Sequence, residues 1–399
     1  MFALWVLSLT IASCELWPEY ALEPSPPIAS PPVPSPVPPP PAPPPAPPPV
    51  PPPPPPAPPP PPPPPGLVCS ISPADNQASI TAAIGSCANG STVRFPLNGI
   101  YHQTDRIVVQ GRRDLVIDGN GSTFIKTSPT LNGVWAPQWH LTADTNLVLT
   151  NMIIRGAFVP TPTRGIIPGN QFEPGVRVSG SEGITIRDME FHNVFGEFVL
   201  VLSNYEIGAG QATSRNVRVE RVVGTSAARQ CIAGSGVVGF WVIDSKLTDC
   251  HQTAIDIEID IPNTKIQDVH ILRNTITDFF LTAITVPIKG NPGDVRDIEI
   301  RGNITLKASD TCFPAVLITY ATNNVGNPTM LDGIVIEDNQ VKALHHGIQV
   351  EDVNSGSVRN NRIENVANPP GLCEPPARTA VKLINSPNVV VSGNTALGY

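Results

Sequence analysis

The sequence predicts an all-β fold: a right-handed parallel β-helix solenoid of about ten coils with a short N-terminal capping helix. Three observations predict it. An alternating apolar segment followed by a polar corner recurs along the chain. Asn stands at one fixed place of that segment in six of its ten copies. Outside a Pro-rich stretch, charged residues are sparse while Val, Ile, Thr, Asn and Gly abound, the composition of strands joined by turns.

The N-terminal residues come first. Phe2 to Ala12 is apolar, the length of a signal-peptide core and too short to span a bilayer. Residues 1–13 are therefore expected to be a signal peptide, although no Lys or Arg precedes the apolar run. Ile11-Ala12-Ser13-Cys14 loosely resembles a lipidation box, and plain cleavage near Ala12 is the alternative. Residues 14–66 are expected to be a disordered Pro-rich linker holding most of the 50 prolines. Proline locks φ and removes donors, so this tract favours polyproline II and builds no core. Its 42 residues from Pro24 to Pro65 would reach roughly 130 Å at ~3.1 Å per residue. It is either a stiff spacer or a disordered stalk. Residues 67–399 remain for one large domain.

Cysteine usage bears on the compartment. Besides Cys14 there are six cysteines, an even set that suggests disulfides in an oxidising setting. Neighbour pairing, Cys69–Cys87, Cys231–Cys250 and Cys312–Cys373, is preferred among the connectivities. The net charge of −8 leaves no basic stripe for phosphates, so nucleic acid is not an expected partner. The expected partner is an extracellular polysaccharide, met by a secreted, monomeric chain with cell-wall or surface association as a further option.

Asn76–Ala88 reads as a short amphipathic helix with Ile80, Ala83, Ile84 and Cys87 on one face, suited to cap the open end of a solenoid. The repeats follow. They start at Leu115, Leu147, Ile184, Val217, Phe240, Val269, Ile298, Ile334, Gly356 and Val389, spaced 22 to 37 residues apart. No such repeat buries its apolar side alone, so the repeats must stack. The recurrent Asn (120, 274, 303, 339, 361, 394) suits a corner, because Asn tolerates left-handed backbone and hydrogen-bonds locally. Stacked, these side chains are expected to form a ladder.

The segment from Ser91 to Tyr101, followed by Leu115-Val116-Ile117-Asp118-Gly119-Asn120-Gly121, resembles the opening of the pectate-lyase-like β-helix superfamily. Val194 to Val199, Arg229-Gln230-Cys231-Ile232 and Asp256-Ile257-Glu258 resemble motifs of bacterial right-handed β-helix repeat proteins. The resemblance implies the fold, and polysaccharide lyases, hydrolases, epimerases or non-catalytic members as functions. The stretch from Trp241 to Asp256 resembles the calcium site of pectate lyases. Asp256 matches that motif's second Asp, but Gln252 and Thr253 replace its first Asp and its Gly. The Asn-Thr-Asp, Asp-Asp, Gly-His-Gly and Arg-x-Lys motifs of polygalacturonases are all incomplete. Neither specific activity transfers.

Alignment of the third strand of each coil supplies a site map. Val199, Ile232, Ile255, Ile284, Val316, Ile348 and Val381 fall inward. Asp256 and Glu258 share one outward, exposed face, about 6.5–7 Å apart between Cα atoms. Two carboxylates so placed suit the acid and base of an inverting glycosidase. The expected catalytic set is Asp256, Glu258, Arg229 and Glu197, and the expected substrate-binding set is His251, Gln252, Lys289 and Gln230. No cofactor is certain. Calcium is the candidate, with Asp256 and Asp260 as oxygen ligands. The competing view makes these ordinary solvated strand residues and Arg229 a plain salt-bridge partner. Trp135 and Trp139 are read either as sugar-stacking groups or as packing. His345-His346 is read as a turn cap. The function expected is a secreted carbohydrate-active protein, a hydrolase or lyase; the alternative is a non-catalytic glycan-binding or structural module on a stalk.

Overall fold

The computed structural model describes residues 67–130, 135–161, 164–165, 167, 172–203, 213–259, 264–289, 294–307, 311–321, 331–366 and 379–399. The expected signal peptide and Pro-rich linker lie outside the described residues, as do Asp260 and Cys373.

Val- and Ile-rich segments with polar corners form strands that pair only with the coil before and the coil after. Each coil runs through three faces. In one central coil these are Ser214–Glu220, Val223–Ala227 and Ile232–Ser235. All strand pairings are parallel, and the third faces align as one ten-stranded sheet. The result is the right-handed parallel β-helix expected from the sequence. The repeat starts stack in register: Leu147 on Ile184, Val217 on Phe240, Phe240 on Val269, Val269 on Ile298, and Ile298 on Ile334. Ile334, Gly356 and Val389 continue the column. The aligned third strands are equally in register, from Val199 on Ile232 to Ile348 on Val381.

Side chains alternate, so one set fills the interior. That core is a single column of Val, Ile, Leu and Phe running from Ile71 to Val389. Each fully buried aliphatic side chain contributes about 1.5–3 kcal/mol relative to exposure. At the N-terminal end an aromatic cluster of Phe95, Tyr101, Phe124 and Trp139 replaces the aliphatics, with neighbouring ring centroids 5.1–5.4 Å apart. Trp139 is 0% exposed and is therefore packing, not a sugar platform.

The capping helix spans Gln77–Ser86. Asn76 caps it by accepting from the backbone of Ala78 and Ser79, and the Ser79 hydroxyl accepts from the backbone of Asn76. Ile80 and Ile84 turn onto the core. Cys69–Cys87 and Cys231–Cys250 are bridged as expected. Cys312 is also disulfide-bonded.

The Asn ladder exists, but its cause differs from the expected one. At the corner between first and second faces the left-handed residue is the one before the ladder: Arg273, Gly302, Asp338, Asn360 and Gly393, with φ of 54°, 67°, 57°, 54° and 66°. The ladder Asn itself keeps an ordinary backbone and points inward. Asn274, Asn303, Asn339, Asn361 and Asn394 each accept from the backbone N–H of the preceding rung, 2.9–3.0 Å away. Their amides each donate to a carbonyl of the coil before, such as Asn303 to Ile271 at 2.8 Å. Asn120 is the exception: it has φ 49° and reaches Phe95 instead.

Candidate functional site

The third face presents two outward columns. One holds His140, Arg177, Leu200, Ala233, Asp256, Thr285, Leu317, Gln349 and Lys382. The other holds Thr142, Ser179, Leu202, Ser235, Glu258 and Pro287, with Glu351 and Ile384 further on. Asp256 and Glu258 share one strand, Ile255–Glu258. They point away from the barrel as expected, yet they are only 5% and 7% exposed. That corrects the reading of an exposed, solvated face. One coil away Trp135 lies on the outside of the sheet, packed on the cluster of Leu200, Leu202 and Ala233. Its ring also covers the Arg177 guanidinium at 4.1 Å and meets Phe172 edge-on.

Two corner columns feed the carboxylates. Glu197 and Gln230 stand two residues before their strands, and Arg229 stands three before. Arg229 donates to the fully buried Glu197 in an ion pair across adjacent coils. Burial opposes its charge, but Glu197 foremost, then Glu258 and Asp256, hold its pKa above the ordinary value. Gln230 donates to Asp256 Oδ2 at 2.9 Å. Five of the eight predicted site residues, Glu197, Arg229, Gln230, Asp256 and Glu258, thus form one electrostatic cluster. The plain salt-bridge view of Arg229 describes its bond to Glu197 but not its place among three carboxyl groups.

The other three are placed differently. His251 is buried against Phe158, ring centroids 4.7 Å apart, with Asp249 at 3.6 Å. Burial foremost holds its pKa below the ordinary value, with Arg164 adding to the effect and Asp249 and Asp278 opposing it. It belongs to a second cluster, where Arg164 bonds Asp249 at 2.8 Å and Asp278 at 2.6 Å. Gln252 is used through its backbone, donating to Arg229 and accepting from Phe280 and Leu281. Lys289 ends the strand Ile284–Lys289, and its side chain lies outside the described residues.

The calcium expectation meets a poor donor set. One Asp256 oxygen already accepts from the Gln230 amide, and the Arg229 guanidinium shares the cluster. A divalent cation there would face an N–H donor and a fixed positive charge. Among the described residues no group of three or more His, Cys, Asp or Glu gathers to hold a metal ion.

Sequence reasoning missed Arg177 and the pinning of Trp135. Lys126 donates to Glu173 at 2.8 Å and to the carbonyl of Ala136 at 3.0 Å. Ala136 in turn donates to Phe172. Extending the third-strand alignment one coil toward the N-terminus would have placed Arg177 in the column of Asp256. His346 is buried and hydrogen-bonded to Thr379 at 3.0 Å. Burial, then His345 and Lys382, lower its pKa to about 4. The bond joins neighbouring coils rather than capping a local turn.

A parallel β-helix with a partly roofed third face, carrying buried carboxyls around a guanidinium, defines the class: this is a right-handed parallel β-helix protein. Its fold is that of known solved structures. An endo-xylogalacturonan hydrolase from Aspergillus tubingensis matches with TM-score 0.58 at 11% identity, over 83% of this chain and 92% of that one. A surface protein and adhesin of Streptococcus pneumoniae matches with TM-score 0.55 at 15% identity, over 81% and 92%. A polygalacturonase from Erwinia carotovora matches with TM-score 0.54 at 12% identity, over 84% and 96%. At these identities the likeness is one of fold. No family model matches the chain, and a search of curated proteins found no match.

Proposed function

We propose that the protein is a secreted carbohydrate-active β-helix that cleaves a polysaccharide at the Asp256–Glu258–Arg229 cluster. The observation that carries this is the juxtaposition of three carboxyl groups with one guanidinium, nearly dry, beside a half-buried indole. Ordinary surface strands do not withdraw such charge from water, because desolvating it is costly. Three carboxyls around one guanidinium favour retention of a proton by the cluster. The Gln230 amide favours the ionised form of Asp256, which makes Asp256 the base. Glu258 is then the acid. In hydrolysis, water loses its proton to Asp256 as its oxygen bonds the anomeric carbon, while Glu258 protonates the departing glycosidic oxygen. Glu197 and Gln230 position Arg229 and Asp256. Lys289 is retained as a substrate-binding residue on the same strand system. The two fully described disulfides support an oxidising, extracellular setting; a monomeric chain is part of the same proposal.

The incomplete polygalacturonase motifs favour a second reading, a non-catalytic glycan-binding module held at a surface by the Pro-rich segment. Release of reducing ends and of unsaturated products from polygalacturonan, xylogalacturonan and a neutral glucan separates the two. Turnover by the natural sequence, reduced about 10²–10⁴-fold in Asp256→Asn and Glu258→Gln, is the expected result. Binding without turnover favours the module. Turnover untouched by either substitution removes this site.

A further inference from the structure

The outward columns of the third face change character along the solenoid axis. Arg177, Leu200, Ala233 and Asp256 are 0%, 4%, 1% and 5% exposed, and Ser179, Leu202, Ser235 and Glu258 are 1%, 4%, 2% and 7%. Thr285, next to Asp256 in its column, is still only 6% exposed, and past it the surface opens. Pro287, Leu317, Gln349, Glu351 and Lys382 are all partly exposed, and Ile384 is 37% exposed. The closed side begins one coil from Asp256, where Trp135 packs on Leu200, Leu202 and Ala233. This wall is not a loose loop. The Trp135 carbonyl accepts from Arg106 at 3.3 Å, and the next residue is tied to Phe172 and Lys126. Lys126 and Glu173 are themselves a buried pair.

We infer that the groove is closed at one end and that the ligand is the terminus of a polysaccharide chain, its last sugars abutting Trp135 beside Asp256. The rest of the chain leaves across Thr285, Leu317, Gln349 and Lys382, toward the C-terminal coils. A polymer cannot continue over Leu200 and Leu202, because the indole already occupies that surface. An open furrow would admit internal segments; a furrow stopped by a pinned aromatic admits only ends. This inference rests on the carbohydrate reading above and adds to it the mode of attack.

Two measurements on polygalacturonan test it. The first follows products and viscosity under the natural sequence. Terminal attack gives a single short product from the start, with viscosity falling only slowly against reducing ends released. Early appearance of a broad range of oligomers with collapse of viscosity overturns the closed end while leaving the proposed enzyme intact. The second uses Asp256→Asn, so it needs no turnover. The protein bound at saturation is counted on short and long size fractions of the same polymer. One molecule per chain at every length supports end recognition, and a count rising with length overturns it. Trp135→Ala should lose the single-product pattern, and Trp135→Phe should keep it. If neither turnover nor binding occurs on any glycan of the panel, the functional reading itself falls and takes this inference with it.

Discussion

Asp144 is a carboxyl group that folding has placed under strain of charge. It is 1% exposed at the corner after the third face, where Oδ1 accepts from the backbone of Arg112 at 2.7 Å. Its Oδ2 has no hydrogen-bond partner among the described residues. Burial raises its pKa from 3.8 to about 7, against the lowering effect of hydrogen bonds from Arg112 and Thr142 and of the Arg112 charge. The folded pKa exceeds the unfolded one, so the folded state holds the proton more tightly. The stability this contributes is complete below about pH 4 and is lost as pH rises toward about 7. Asp144→Asn keeps the shape and removes the ionisation. Melting curves across that range should fall for the natural sequence and stay flatter for the variant, by roughly 2–4 kcal/mol at the alkaline end. Parallel curves would discard the account. At this scale the sequence revealed Asp256, Glu258 and Arg229, because strand alternation and corner position follow from register alone. It did not reveal that Asp256 and Glu258 are buried. Burial of an outward strand position depends on what crosses the sheet, and connections between strands, such as the one carrying Trp135 a coil away, have no period from which a path can be read.

The Asn ladder shows what one element contributes. Asn303 accepts from both the backbone and the side-chain amide of Asn274, and donates to Ile271 and Asn339. It is 1% exposed. Asn303→Ala would strand buried partners on the coils before and after it, and each unsatisfied buried group costs about 1–3 kcal/mol. A loss of roughly 2–5 kcal/mol in urea unfolding is expected. Asn394→Ala should cost less, because that rung is partly exposed and water can replace the lost bonds. Equal losses at both positions would mean the ladder is not a buried network. The ladder's existence was legible from spacing: Asn recurs at one place of successive repeats, and stacking makes those places neighbours. Its backbone conformation was not. The left-handed residue before each rung varies among Arg, Gly, Asp and Asn, so no single residue type marks it.

Over the whole molecule, the strands of each coil pair only with those of neighbouring coils, side-chain bridges such as Arg164 to Asp249 and Asp278 spanning more than one, and such a stack responds to damage locally. The N-terminal end is closed by the helix Gln77–Ser86, whose Ile80 and Ile84 are 1% and 0% exposed. The Cys69–Cys87 bridge joins the end of this helix to the first strand, Val68–Ser70. Against the helix lies the strand Ile107–Gln110, with Val108 donating to Thr81 at 3.1 Å. Ile84→Asp would bury a carboxylate against that strand or lift the helix and expose apolar side chains to water. Either outcome costs about 3–5 kcal/mol at the cap. A globular core would share that cost throughout, because its contacts are not ordered along one axis. Here the cost should remain in the first coils. Amide exchange should quicken at Thr92–Arg94, Ile107–Gln110 and Trp139–Thr142 while the paired strands Ile284–Lys289 and Val316–Ala321 keep their protection. Uniform loss of protection along the chain would show that the coils unfold as one cooperative unit, with the cap holding all of them.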